Sequence, residues 1–295
     1  MKKTVSFSRD AANVFFHITT HCNLNCRHCY INTHQHGRQT LPLNVVKNWL
    51  KLFSQRARYA NLVLLGGEPT LHPDLADIVK TAGRLAYASI TIDTNGYLFH
   101  DILSKIEPSD VEYISFSLDG ATAATNYLIR GQGSYFECTK GIRNACDAGF
   151  NVSVIFTVSQ TNIHELHLMG SLLQSMGVKR FFIQVIGIRG RSVIPQADDL
   201  QVGKEEWTRT VPTTAEKIAE LGITVTFPKV FLRSEDPFEC AGKVADNFFV
   251  FPNGRVYRCP LCEDYPLHSL QIIENRLVER EPINEKDLFK LDIPE

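Results

Sequence analysis

The sequence predicts an α/β fold built on a parallel sheet, and three observations carry that prediction. Apolar, β-branched runs alternate with helical patterns six times between residues 14 and 190. The polar and glycine-bearing signatures fall where those strand runs end. Composition is globular, 44% hydrophobic and 21% charged, which excludes disordered and fibrous classes. Repeated β-then-α units require right-handed crossovers, so the sheet is parallel, either curled into a barrel or opened out. A chain of 295 residues accommodates one large α/β domain plus a small appendage, or two ordinary domains.

The elements follow in order. Val14-Phe15-Phe16-His17-Ile18-Thr19 is an apolar strand run, and cysteines follow it directly. Pro42 sits at a first helical position before Val45, Val46, Trp49, Leu50, Leu52 and Phe53 at helical spacing. A second strand over 62–65 ends in Gly66-Gly67-Glu68-Pro69, and a helix over about 73–86 follows. The third strand, 89–92, closes on Thr94-Asn95-Gly96, and the fourth, 113–118, on Asp119-Gly120. A helix over 135–148 leads to a fifth strand, 152–158; a helix over 164–176 leads to a sixth, 180–186. Gly187, Gly190, Pro195, Gln196, Asp198, Asp199 and Gly203 then break the pattern. A helix over 204–220, a short strand over 223–227 and a hairpin over 248–257 complete the chain, with Asn253-Gly254 at the hairpin tip. This divides the sequence into a core, 1–190, a connecting segment, 191–228, and an extension, 229–295.

Thirty-one basic against 32 acidic side chains give a net charge of -1, with no footprint for nucleic acid or anionic membrane. Residues 1–10 are polar and lack the apolar stretch of a secretory signal. No apolar run approaches the ~20 residues of a membrane helix. A soluble, cytoplasmic protein is expected. The eight cysteines do not read as a disulfide scaffold, which is short, secreted and cysteine-dense. They cluster instead as Cys22, Cys26 and Cys29, and as Cys240, Cys259 and Cys262. Cys138 and Cys146 stand alone and read as small buried residues.

Cys22-x3-Cys26-x2-Cys29 can hold three of the four irons of a cubane, leaving one iron open to an exogenous ligand. The alternative is zinc, with His21 or His28 completing a Cys3His set, but no second pair lies nearby and the barrel-top context differs from a zinc ribbon. In parallel α/β sheets chemistry gathers at the carboxyl ends of the strands, so the strand-end signatures read as one shared site.

These residues resemble a family. Cys22-x3-Cys26-x2-Cys29 followed by an aromatic residue, with Gly66-Gly67-Glu68-Pro69 after the second strand, looks like the radical S-adenosylmethionine enzymes. The resemblance spans roughly residues 14–190 and implies a partial (β/α)6 TIM-like barrel. It implies a [4Fe–4S] cluster whose open iron binds S-adenosylmethionine, one-electron cleavage of that cofactor, and hydrogen abstraction from a C–H bond by the 5′-deoxyadenosyl radical. It also implies an oxygen-sensitive, anaerobic enzyme served by a flavodoxin or ferredoxin-like electron donor. Carried over residue by residue, Cys22, Cys26 and Cys29 hold the catalytic cluster. Gly66 and Gly67 allow close backbone approach, Glu68 supplies charge for the cofactor's amine, and Pro69 fixes the exit turn. Ser117 and Asp119, two apart and so on one face, meet the ribose, while Thr94 and Asn95 meet the ribose or the amine. Arg130 offers a fork for the carboxylate, and the backbone of Tyr30 borders the adenine.

Cys240-x13-Gly254-x4-Cys259-x2-Cys262 resembles the opening of SPASM and twitch extensions, which hold auxiliary [4Fe–4S] clusters. Three cysteines imply a small C-terminal twitch-type extension with one such cluster. Its fourth ligand is Glu263, Asp264 or His268, or one iron stays open to substrate, as in the GTP 3′,8-cyclase family. That family, however, orders its auxiliary cysteines differently, and zinc remains the alternative metal. Weaker candidates are Gly187-Ile188-Arg189-Gly190-Arg191, a loop for a substrate phosphate or carboxylate or simply solvated, and His164-Glu165-Leu166-His167, a solvated helix face. His34, His36 and His72 show no pairing. The substrate expected is a small or medium molecule undergoing oxidation, epimerisation or cyclisation, because the first strand begins by Val14 and leaves no room for a leader-binding domain. The alternatives are modification of a ribosomally made peptide or protein side chain, and a non-catalytic iron–sulfur or zinc protein.

Overall fold

The computed structural model describes residues 11–193, 200–231, 245–263, 265 and 267–281. Seven parallel strands run in sequence order: β1 (Ala12–Thr19), β2 (Asn61–Gly66), β3 (Ser89–Thr94), β4 (Tyr113–Ser117), β5 (Val152–Val158), β6 (Arg180–Val185) and β7 (Thr224–Thr226). Four more, β8 (Asp246–Val250), β9 (Arg255–Tyr257), β10 (Leu270–Ile273) and β11 (Arg276–Glu279), extend the sheet beyond β1. The helices are α1 (Thr33–His36), α2 (Leu43–Arg56), α3 (Leu75–Gly83), α4 (Ile102–Lys105), α5 (Ala123–Arg130), α6 (Ser134–Asp147), α7 (Met169–Ser175) and α8 (Lys204–Glu220).

Alternation along the strands separates two faces. Val14, Phe16 and Ile18 of β1, Leu62 and Leu64 of β2, and Val154 and Phe156 of β5 are fully buried in a core shared with Leu50 and Phe53 of α2, Ile78 of α3, Ile142 of α6 and Leu173 of α7. Their neighbours point to the opposite face, which is half-buried and largely polar or aromatic. There Phe15 stacks on Phe249 at 4.6 Å, and an amide ladder runs from Asn247 through Asn13 and Asn61 to Ser89. The order β1 to β7 with helical crossovers is the partial barrel expected from the strand pattern.

Two features were not legible at the sequence level. First, α8 returns the chain to the sheet, so the short strand of the connecting segment pairs parallel with β6, Arg180↔Thr224 to Phe182↔Thr226, as a seventh barrel strand. Second, the extension is continuous with the same sheet: β8 runs parallel to β1, Ala12↔Asp246 to Phe16↔Val250, and the expected β8–β9 hairpin follows. The β10–β11 hairpin closes the edge through Glu274 and Asn275, both at positive φ, the geometry of a two-residue primed turn. The helix expected over 164–176 splits into a 3-10 turn, Ile163–Leu168, and α7. No helix of the described residues is long and apolar enough to cross a membrane.

Candidate active site at the carboxyl ends of the strands

The loop after β1 carries the first three cysteines, with Cys22 exposed and Cys26 and Cys29 half-buried as free thiols. Five backbone hydrogen bonds hold this loop: Thr20 N to Gln39 O (3.0 Å), Gly67 N to Thr19 O (2.9 Å), Glu68 N to His21 O (2.8 Å), Arg27 N to Ile129 O (2.9 Å) and Arg191 N to Cys29 O (2.9 Å). The two glycines of the Gly-Gly-Glu-Pro segment make this possible. A Cβ at Gly66 would stand 2.1 Å from Thr19 O, and one at Gly67 2.1 Å from His21 O. Their close approach is therefore to the cysteine loop itself, where the sequence had implied an approach to the cofactor.

Sulfur-directed donors surround the thiols. Leu24 N–H donates to Cys22 Sγ at 3.4 Å, Asn95 Nδ2 reaches Cys22 Sγ at 3.8 Å, and Arg130 Nη1 reaches Cys26 Sγ at 3.9 Å. Burial pushes the Cys26 thiol up, and the Arg130 guanidinium opposes that shift. Among the described residues no three His, Cys, Asp or Glu side chains gather on a single-ion position. Three soft thiols held apart, each loop end pinned and N–H groups aimed at sulfur, fit an iron–sulfur cluster, whose properties depend on such hydrogen bonds.

Glu68 is fully buried, and its carboxylate is saturated by the protein. Oε1 accepts from Thr70 N (3.0 Å), Thr70 Oγ1 (2.6 Å) and Thr94 Oγ1 (2.8 Å), and Oε2 accepts from Asn95 N (2.7 Å). It caps the 3-10 turn begun by Pro69 and ties the end of β2 to the end of β3. Thr94 is consumed in this ring, since its hydroxyl also accepts from Gly96 N at 3.1 Å. Asn95 faces the cysteine loop, donating to Asn23 Oδ1 at 2.8 Å.

The Ser117 and Asp119 pair requires a correction. β4 ends at Ser117, which stays half-buried, whereas Asp119 lies past the strand and is fully buried. Asp119 Oδ2 receives Arg130 Nε at 2.6 Å and lies 3.3 Å from His28 Nε2, while Oδ1 accepts from Thr157 N at 2.7 Å. Arg130, at the end of α5, is 8% exposed, so its charge is spent on Asp119 and its fork leans toward Cys26. Sequence reasoning missed α5, and with it Asn126, which accepts from Asp119 N (2.9 Å); it also missed Asn162, before the 3-10 turn that follows β5, which donates to Asp119 O (3.0 Å). His28, weighed from the sequence only as a possible zinc ligand, packs beside Asp119: burial lowers that imidazole to about 4, and among the described residues its buried Nδ1 has no hydrogen-bond partner.

Tyr30 turns its side chain toward the extension. Its hydroxyl meets His17 Nε2 at 2.6 Å, and Arg189 lies over its ring at 4.8 Å. Arg189 pairs with Glu263 Oε2 at 2.6 Å, and Glu263 has a side chain only 2% exposed. Arg189 is thus neither a solvated residue nor a free anion clamp. Glu263, one of three alternatives expected for the fourth ligand of the auxiliary cluster, is committed to it. Cys259 and Cys262 are half-buried in one 3-10 turn and undisulfided, a donor pair fit for a cluster; Cys240 and Asp264 lie outside the described residues. The ring of His268 is 6.1 Å from that of Tyr257. Cys138 is buried, as expected, and Cys146 is half-buried. Glu165 is not solvated: it is buried and accepts from Ala121 N, Thr122 N, Thr122 Oγ1 and Thr125 Oγ1 at the start of α5. His36 and His72 are likewise buried, bonding to Glu263 O (2.6 Å) and Leu41 O (2.8 Å).

Known proteins resemble the chain throughout this architecture. A probable GTP 3′,8-cyclase of Saccharolobus solfataricus is 25% identical over 288 residues, covering 92% of this chain and 90% of the relative. The mycofactocin maturase MftC of Mycobacterium ulcerans is 25% identical over 283 residues, 89% of this chain and 70% of the relative. Streptococcus suis SuiB bound to its precursor peptide SuiA shares the fold with a TM-score of 0.69 at 12% identity, covering 88% of this chain and 62% of SuiB. The structure of anSMEcpe with bound AdoMet and Cp18Cys peptide has a TM-score of 0.64 at 14% identity, covering 96% of this chain and 81% of that one. The model of the Radical SAM superfamily matches residues 16–172, from within β1 to within α7. Spanning more than half of the chain and every cysteine of the first cluster, that match makes this protein an enzyme of the radical S-adenosylmethionine superfamily.

Proposed function

We propose that this enzyme, of the SPASM/twitch kind, holds its [4Fe–4S] cluster on Cys22, Cys26 and Cys29 and acts on a C–H bond of a peptide or peptide-like substrate. When bound, the cluster and S-adenosylmethionine supply a one-electron cleavage and a radical that takes hydrogen from substrate. The chain's own residues do the rest. Arg130, anchored by Asp119, places positive charge beside Cys26. Asn95 and Leu24 donate toward Cys22. Glu68 fixes the strand ends on which Asn95 stands. Half-buried Ser117, the last residue of β4, offers a hydroxyl for a ribose or substrate contact. In functional terms residues 1–190 form the radical core, 191–228 connect, and 229–295 carry an auxiliary cluster on Cys240, Cys259 and Cys262. A flavodoxin or ferredoxin-like protein serves as electron donor.

One observation carries the substrate reading. Two arginines brought to the strand ends are spent inside the protein, Arg130 on Asp119 and Arg189 on Glu263, and Arg191 gives one donor to Cys26 O at 3.4 Å. The face opposite the helices instead offers half-buried Ser117, Thr157 and Gln184 on one side of β4, β5 and β6, while Ser115 and Ser153 on that side are buried and bonded to each other at 2.9 Å. Hydroxyl and amide groups of this kind match peptide amides rather than a polyanion, which calls for unpaired cations. The likeness to MftC, SuiB and anSMEcpe supports the same reading. Cyclisation of a small substrate is the second reading, favoured by end-to-end similarity to the GTP 3′,8-cyclases.

The test uses anaerobically reconstituted protein with dithionite and S-adenosylmethionine, which is expected to release 5′-deoxyadenosine; replacement of Cys22, Cys26 or Cys29 by Ala abolishes release. Deuterium transfer into 5′-deoxyadenosine from labelled peptides, and not from labelled nucleotides, supports the peptide reading. Transfer from nucleotides alone overturns it.

A further inference from the structure

We infer that Arg189 and Glu263 form a latch that positions the C-terminal cysteine pair against the loop of the radical cluster. The inference rests on the reading that Cys240, Cys259 and Cys262 hold an auxiliary cluster. Three consecutive residues after β6 touch both cysteine loops. Gly190 seats on the first, where a Cβ would stand 2.4 Å from Cys29 O, and Arg191 N donates to that same oxygen at 2.9 Å. Arg189 reaches the second, donating from Nη1 to Glu263 Oε2 at 2.6 Å and to Pro260 O at 2.5 Å. Pro260 lies between Cys259 and Cys262, and Glu263 follows Cys262, so both acceptors bracket the cysteine turn.

A second path joins the loops independently. Tyr30, next to Cys29, bonds His17 at 2.6 Å; His17 stacks on Phe251 at 3.9 Å, and Phe251 stacks on His36 at 3.8 Å. His36 Nε2 then meets Glu263 O at 2.6 Å. Glu263 is therefore gripped at its carboxylate by Arg189 and at its carbonyl by His36. A carboxylate this buried and charge-paired is a positioning group and not an iron ligand, and a guanidinium spent on it is not a substrate clamp. The two cysteine loops come from opposite ends of the chain; the β1–β8 pairing joins their elements in one sheet, and the ion pair fixes the cysteine turn against the loop after β6.

The experiment compares anaerobically reconstituted wild type with Arg189→Met, Arg189→Lys and Glu263→Gln. Iron per chain, reduced-state EPR and the auxiliary midpoint potential are read for each. Wild type should carry about eight irons, two cubanes. Arg189→Met and Glu263→Gln should fall to about half that, while the radical-cluster EPR signal still shifts on adding S-adenosylmethionine, which shows a folded core. Arg189→Lys, which keeps the charge but not the fork, should recover iron with a displaced auxiliary potential. Full iron with unchanged spectrum and potential in Arg189→Met and Glu263→Gln overturns the latch alone. About four irons in wild type overturns the auxiliary-cluster reading and the latch with it.

Discussion

Glu68→Gln separates two roles for the glutamate of the Gly-Gly-Glu-Pro segment. If Glu68 chiefly supplies charge to a bound cofactor, the substitution weakens S-adenosylmethionine binding and leaves the fold unaffected. The structure instead makes it an internal pin, fully buried and accepting four hydrogen bonds. Glutamine retains one oxygen for the Thr70 and Thr94 donors but turns an amide N–H2 toward Asn95 N, a donor facing a donor. Losing one charge-assisted bond costs about 1.5–3 kcal/mol, and the stranded buried amide adds about 1 kcal/mol or more. The expected loss is about 3 kcal/mol, or a fall of roughly 5 °C in melting temperature for a chain of 295 residues. Differential scanning calorimetry of the cluster-free protein, in which no cofactor contact contributes, reads this directly. A melting temperature within about 1 °C of wild type, alongside weakened S-adenosylmethionine affinity in the loaded enzyme, would refute the pin and restore the charge role.

Gly67→Ala places a Cβ on His21 O and should displace the cysteine loop; iron analysis is expected to show loss of the first cluster while far-UV circular dichroism stays near wild type. His17 is lowered to about 3, chiefly by burial, against an unfolded value near 6.5, so the neutral ring stabilises the fold fully above pH 6.5 and that contribution is lost as pH falls toward 3. By pH 5 the loss is about 2 kcal/mol from this group, and His17→Gln, though weaker at pH 7, should flatten the slope of denaturant-derived stability between pH 6.5 and 5. Asp93 has the opposite sign. Burial raises it from 3.8 to about 7, so only the unfolded chain ionises between those values and stability is lost as pH rises through that window. Asp93→Asn should match wild type near pH 4 and exceed it at pH 8 by about 2 kcal/mol, half the full linkage because the residue is only half-buried; equal stability at both pH values sinks the assignment.

Much of the fold was legible because it depends on local rules. Period-two apolar runs such as Val14 to Thr19, and helical spacing such as Val46, Trp49, Leu50 and Phe53, report burial directly. The first cluster was legible for the same reason, since three thiols within eight residues need no tertiary contact to be neighbours. The β10–β11 hairpin escaped because Glu274-Asn275 is not a strong turn pair, and α5 because it is only eight residues long and the face it buries is mostly polar, with Thr125, Asn126 and Arg130 beside Ile129.

What the sequence by itself determined is the chemistry available: the cysteine sets, the strand ends they occupy and the family they mark. What only the tertiary structure decided is how each charged group is used. Glu68, Asp119, Arg130, Arg189 and Glu263 all read as candidate ligands in isolation, and all are spent on one another or on backbone donors. The physical reason is that a buried charge must be compensated within hydrogen-bond reach, and its partner is set by three-dimensional packing between residues up to 74 positions apart, as with Arg189 and Glu263.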